Sequence, residues 1–263
     1  MSLKDSPIGI FDSGVGGTSI LKELMAVLPH ERFIYLADSK NAPYGVKSVD
    51  QIIELSHKNT RHLMAQDVKL IVAACNTATT NAIRELRRDY DLPFIGIEPA
   101  IKPAAIQTLT NKIGILATKG TLSSALFEKT SELFKKHLTL TEVEGIGIVE
   151  AVENGTTETP RFIESLTDQI KIFKAADIDC LVLGCTHYPF IRKHLSLLLP
   201  DVKIIDSGYA VAQQTKKILK DSQRIQDKPK KQIVDVYTNA NNLNVLNSIF
   251  KEQPFVSCQY LDF

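Results

Sequence analysis

Two hydrophobic segments of this chain end in cysteine: Leu70-Ile71-Val72-Ala73-Ala74-Cys75-Asn76-Thr77 and Leu181-Val182-Leu183-Gly184-Cys185-Thr186-His187. Each reads as a buried parallel strand that delivers a thiol to its C-terminal edge, where open α/β folds build their sites. A Thr follows each thiol, placed to start a helix. The thiols stand 185 − 75 = 110 positions apart, and Ile113-Gly114-Ile115-Leu116-Ala117-Thr118 echoes Ile8-Gly9-Ile10-Phe11-Asp12-Ser13 at an offset of 113 − 8 = 105. Such offsets imply an internal repeat of one α/β unit, with a period too long for a solenoid. The expected fold is α/β, with two pseudo-symmetric lobes, each a mainly parallel sheet flanked by helices. The active site would lie in the cleft between them.

Short β-branched runs (8–11, 33–36, 70–74, 94–97) alternate with helical patterns (21–28, 49–64, 79–90), the order of a parallel sheet covered on both faces. Pro99 and Pro103 punctuate one crossing between lobes, and Asp206-Ser207-Gly208 marks a second. The expected division is 1–97 plus 210–263 for the first lobe and 98–209 for the second. A tail with a helix (210–219), a polar loop (221–231) and a strand-like 233–237 packs back onto the first lobe. With 31 basic and 30 acidic residues the net charge is +1, which gives no reason to expect nucleic acid as the main partner. The segment Met1 to Pro7 lacks the apolar centre of a signal peptide, and no apolar run approaches the roughly 18 residues of a membrane span. Four scattered cysteines do not make a disulfide framework in 263 residues. A cytoplasmic protein with free thiols is expected.

A thiol at a strand-to-helix turn meets free N–H groups and the positive end of the helix dipole, which lower its pKa toward neutrality. Asn76, Thr77 and Thr186 are placed to cap such helices or to donate to a substrate carboxylate. Cys180 and Cys258 lack this setting and read as structural. No Cys-x-x-Cys motif occurs, and Cys185 with His187 would need further ligands to hold a metal. The loop Asp12-Ser13-Gly14-Val15-Gly16-Gly17-Thr18 suits backbone amides facing an anion, but Ser19 occupies the third glycine position of a dinucleotide fingerprint and no Walker Lys is present. Asp12 at the strand end could meet a thiol or a substrate ammonium. His187 could be the proton partner of Cys185, with Glu150 upstream as its support.

Five segments together resemble the glutamate racemases of the cofactor-independent aspartate/glutamate racemase superfamily. They are Gly9 to Gly17, Asp38 with Asn41-Ala42-Pro43-Tyr44-Gly45, Cys75-Asn76-Thr77-Ala78, Gly96-Ile97-Glu98-Pro99, and Leu183-Gly184-Cys185-Thr186-His187-Tyr188-Pro189. The resemblance implies interconversion of L- and D-glutamate without a cofactor or metal, supplying D-glutamate for peptidoglycan. It implies that Cys75 takes the proton from the D-isomer and Cys185 from the L-isomer, with Asp12 and His187 assisting the nearer thiols. Asp12-Ser13, Pro43-Tyr44-Gly45, Asn76-Thr77 and Thr186-His187 match the family's substrate-binding positions; Thr118 and Thr121 fit its carboxylate-binding loop, and Glu150 joins the set as support for His187. A homodimer is a further expectation, and binding to DNA gyrase is one by family analogy. Two alternatives stand beside this reading: the same fold acting on aspartate or another amino acid, and a regulatory gyrase-binding protein.

Overall fold

The structure, a computed structural model, describes residues 3–263. Residues 1 and 2, part of the expected first lobe and of the segment examined for a signal peptide, lie outside the described residues. Among the described residues, ten strands form two parallel sheets: β1 (Ile8–Asp12), β2 (Arg32–Ala37), β3 (Leu70–Ala73), β4 (Phe94–Gly96), β5 (Lys112–Ala117), β6 (Thr139–Glu144), β7 (Cys180–Gly184), β8 (Lys203–Ile205), β9 (Ile233–Thr238) and β10 (Val256–Tyr260). The first sheet has the order β10-β9-β2-β1-β3-β4, and the second has the order β6-β5-β7-β8.

The two orders coincide over four strands, β2-β1-β3-β4 against β6-β5-β7-β8. The register repeats as well: Gly9 of β1 pairs with Ile71, and Gly114 of β5 pairs with Leu181, 181 − 71 = 110 positions on. Each thiol therefore leaves its sheet beside the equivalent central strand, β1 for Cys75 and β5 for Cys185. Strands buried on both faces send alternate side chains to opposite layers. Ile8, Ile10, Leu70 and Val72 enter one core, and Phe11, Leu36, Ile71 and Ala73 enter another. The former core continues into the second lobe through Leu116, Leu181 and Leu183, while Ile113, Ile115, Cys180 and Val182 fill a third.

The tail adds two strands to the first sheet, where the sequence suggested one. Strand β9 pairs with β2 and β10 with β9, all parallel. The helix Gly208–Asp221 packs on the helix Thr18–Val27. No helix among the described residues is long and apolar enough to cross a membrane.

Candidate active site

The two thiols leave their strands in the same place but enter different turns. Cys75 is the N-cap of the helix Asn76–Asp89, and its sulfur accepts the Ala78 N–H at 3.4 Å. After Cys185 no α-helix starts until Arg192; the chain makes a 3-10 turn, Tyr188–Ile191. Pro189 explains the difference, since it has no N–H to close the first α-helical bond back to the Cys185 carbonyl, which takes the Tyr188 N–H at 3.1 Å instead. The expected helix start at Thr186 is thus corrected to a tight turn.

Cys75, Cys185, Ser13, Pro43, Tyr44, Gly45, Asn76, Thr77, Thr118 and His187 all line one cavity, joined by Val149, which the sequence did not single out. Its volume is about 10 Å³, room for a single water. The lobes are closed on each other. Asn76 is 3% exposed, and neither its amide oxygen nor its nitrogen has a partner among the described residues. A buried amide with both ends unpaired is costly unless a ligand satisfies it.

Contacts across the cleft explain the closure. Thr77 Oγ1 of the first lobe lies 2.9 Å from Thr118 Oγ1 and 3.3 Å from Thr121 Oγ1 of the second, and the latter two are 3.1 Å apart. Thr186 donates to Asp12 Oδ2 at 3.0 Å, and Ser19 donates to the Thr186 carbonyl at 3.0 Å. Asn81 donates to the Gly120 carbonyl at 3.0 Å. These hydroxyls and the Asn81 amide tie the two sides of the cleft together.

Next to Cys185, His187 Nδ1 lies 3.7 Å from the sulfur, and Nε2 lies 2.6 Å from Glu153 Oε1. Glu150, expected to support His187, is exposed; the carboxylate in that place is Glu153, one turn further along the helix Ile148–Glu153. The sequence analysis singled out Glu150 alone; Val149 and Val152 are buried, and Glu153, four residues after Val149 and next to Val152, shares their side of the helix. Its carboxylate also accepts the Val15 N–H at 2.6 Å. The anion that the glycine loop faces is therefore the protein's own. A Cβ on Gly14 would stand 1.9 Å from Glu153 Oε1, and one on Gly16 would stand 2.3 Å from His187 Nδ1. The two glycines let the second lobe's acid and imidazole approach the backbone of the first.

The electrostatics reverse one expectation. Burial, reinforced by the Asp12 charge, pushes the Cys75 thiol up to about 12, against the Ala78 N–H and the Ser13 hydroxyl. Desolvation outweighs the helix start. Burial also raises Asp12 to about 6, although His187 and the Gly14 N–H act the other way. For His187, burial alone would hold the imidazole down, but its hydrogen bonds to Cys185 and Glu153 carry it well above the ordinary histidine value. Among the described residues no group of three or more His, Cys, Asp or Glu side chains is placed to hold a metal ion. The site can offer two thiols, one with a carboxylate nearby and one with a carboxylate-oriented imidazole, to a single small molecule.

Known proteins resemble this chain along most of its length. Residues 17–215 match the family described as Asp/Glu/hydantoin racemase. A glutamate racemase of Clostridium acetobutylicum is 42% identical over 250 residues, covering 95% of this chain and 94% of its own. The Escherichia coli glutamate racemase, solved in complex with L-glutamate and the activator UDP-MurNAc-ala, superposes with a TM-score of 0.86 at 29% identity, covering 97% of this chain and 98% of that one. The Francisella tularensis glutamate racemase, solved with D-glutamate, gives 0.84 at 26% identity over 98% of this chain and 97% of its own. With two equivalent thiols converging on one closed cleft, and relatives of this closeness along nearly its whole length, the chain belongs to the Asp/Glu/hydantoin racemase family.

Proposed function

We propose that this protein is a glutamate racemase that interconverts L- and D-glutamate by proton transfer between two thiols. The observation that carries the reading is the pair Cys75 and Cys185, brought by repeat-equivalent strands to one cavity. Racemisation needs a base on one face of the α-carbon and an acid on the other. From L-glutamate, Cys185 takes the α-proton as a thiolate and Cys75 returns one from the opposite face; the thiolate left on Cys75 is then the base for the D-isomer. Burial that keeps Cys75 protonated suits it to the acid role. Asp12 assists at the Cys75 side and His187, held by Glu153, at the Cys185 side. Asn76 and the hydroxyls of Ser13, Thr77, Thr118, Thr121 and Thr186, with the 43–45 loop, hold the substrate and stabilise the charge that develops on its carboxylate. The enzyme works without a cofactor.

The same reading divides the chain into 1–97 with 210–263 and 98–209, places it in the cytoplasm and assigns its product to peptidoglycan synthesis. A homodimer and a gyrase association come from the resemblance; sedimentation velocity tests the first, and supercoiling assays with added protein test the second. The deciding experiment is racemisation in deuterated water without added cofactor. Circular dichroism should decay with L- or D-glutamate and not with L-aspartate, deuterium should enter at the α-carbon, and Cys75→Ser or Cys185→Ser should each abolish turnover. Retained racemisation in the double variant would falsify the two-thiol mechanism.

A further inference from the structure

The turn that closes β9 touches both halves of the cleft without lining it. Thr238 ends β9 opposite Ala37 of β2, so residues 239–242 emerge at the sheet edge beside the loop carrying Asp38 and Tyr44. Asn239 Nδ2 donates to Asp38 Oδ1 at 2.6 Å, and Asn239 Oδ1 accepts the Lys40 N–H at 2.9 Å. The other oxygen of Asp38 accepts the Tyr44 hydroxyl at 2.6 Å. Asn242 faces the other way. Its Nδ2 donates to Glu153 Oε2 at 2.9 Å, while its Oδ1 accepts the Thr238 hydroxyl at 2.7 Å. Each amide is committed at both ends, which fixes which way it points.

We propose that Asn239 and Asn242 are positioning residues for the reaction, Asn242 acting through Glu153 on His187 and Cys185, and Asn239 through Asp38 on Tyr44. Neither lines the cavity. Glu153 belongs to the second lobe, yet three of its four donors come from the first: the Val15 N–H, the Ser39 hydroxyl at 2.8 Å and Asn242. The fourth is His187. Closing the lobes is thus what completes the shell around Glu153, and a carboxylate held by fixed donors holds its imidazole in turn. One turn of the tail thereby sets the Tyr44 wall and the Cys185 proton partner in a single closed geometry.

This inference rests on the racemase reading, so the test has one arm that needs no substrate. In the first arm, kcat and KM are measured for Asn242→Ala, Glu153→Gln and the double variant, and for Asn239→Ala, Asp38→Asn and their double. Each single asparagine change should lower kcat/KM roughly tenfold, since each removes a hydrogen bond to a charged group. If it acts through the acid, it should cost little further in the acid's own variant background. Asn242→Asp, equal in size but facing Glu153 with a second carboxylate, should lose more than Asn242→Ala. Asn241→Ala, in the same turn but exposed, should match wild type. In the second arm, alkylation of the substrate-free protein by iodoacetamide is followed at each cysteine by mass spectrometry. Asn242→Ala should change the rate at Cys185 several-fold and leave Cys75 within twofold. Additive losses in both double variants, or equal change at both thiols, overturns the proposal. A wild-type protein inactive on glutamate overturns the racemase reading instead, and the labelling arm still decides the role of Asn242.

Discussion

At the Asp12 carboxyl, burial raises the pKa from 3.8 to about 6 against the opposing charge of His187, so the folded protein holds this proton more tightly than the unfolded chain. Stability therefore falls as pH rises between those two values, by about 3 kcal/mol in all. Asp12→Asn, which cannot ionise, should be more stable than wild type at pH about 7.5, with the advantage largely gone near pH 4. Urea melts of both proteins at the two pH values check this; a difference independent of pH would count against it. The variant should also lose racemase activity, so that stability and function separate at one side chain. Glu153 and Glu150 differ in the same testable way. Glu153→Gln should lower kcat roughly a hundredfold, as expected for loss of an acid that orients a proton-transfer group, while the exposed Glu150→Gln stays within twofold. Steady-state rates in both directions decide it, and equal losses would restore Glu150 to the site. The choice between them was not legible in the sequence, because both acids sit beside apolar residues and only the packed helix shows which one turns inward.

Among the elements, the loop after β1 is where sequence and structure diverge most usefully. Its glycines pointed to an anion, and the anion is Glu153 from the opposite lobe. Gly16→Ala should leave the thermal midpoint within a few degrees, because the three atoms nearest the added methyl all belong to the His187 ring, yet lower kcat/KM more than tenfold by holding His187 away. A fully active Gly16→Ala would show that the lobes need not approach so closely. The opposite end of the first sheet carries a different constraint. Lys69 is fully buried, donates to Glu31 at 2.5 Å and to the Lys4 carbonyl at 2.8 Å, and Glu31 also accepts the Gln226 N–H at 2.8 Å. Lys69→Met should cost about 3–5 kcal/mol by stranding the Glu31 charge, and Lys69→Met with Glu31→Gln should recover most of it in urea melts. No additional recovery would mean that packing, not charge, sets the cost. The central strands β1, β3, β5 and β7 were legible because burial on both faces makes them continuous apolar runs. Strand β6, Thr-Leu-Thr-Glu-Val-Glu, is an edge strand with a mostly exposed face, and β10 lies at the other sheet's edge; both lack such a run and passed unread. Asn239 and Asn242 passed unread for a related reason, since a turn asparagine has many ordinary uses.

Over the whole molecule, a cavity of about 10 Å³ between the thiols requires the lobes to part for each substrate and each product. Turnover in both directions should then fall as solvent viscosity rises if opening limits it. A flat response at saturating substrate would place the slow step in the chemistry. The overall plan was readable from two offsets, 105 and 110, because a repeated register leaves its trace wherever buried strands recur. The identical strand order has one more consequence, which concerns descent. A single four-stranded unit, paired with its own copy about a two-fold axis, would bring one thiol from each copy to a shared cleft, and such a pair is bound to treat both faces of a substrate with identical side chains. Joined end to end, the copies are released from that symmetry. His187 now stands where the first half has Thr77 (187 − 110 = 77), and Thr118 follows β5 where Ser13 follows β1. A repeat of this kind within one chain lets its two halves present unlike side chains to the two faces of one molecule.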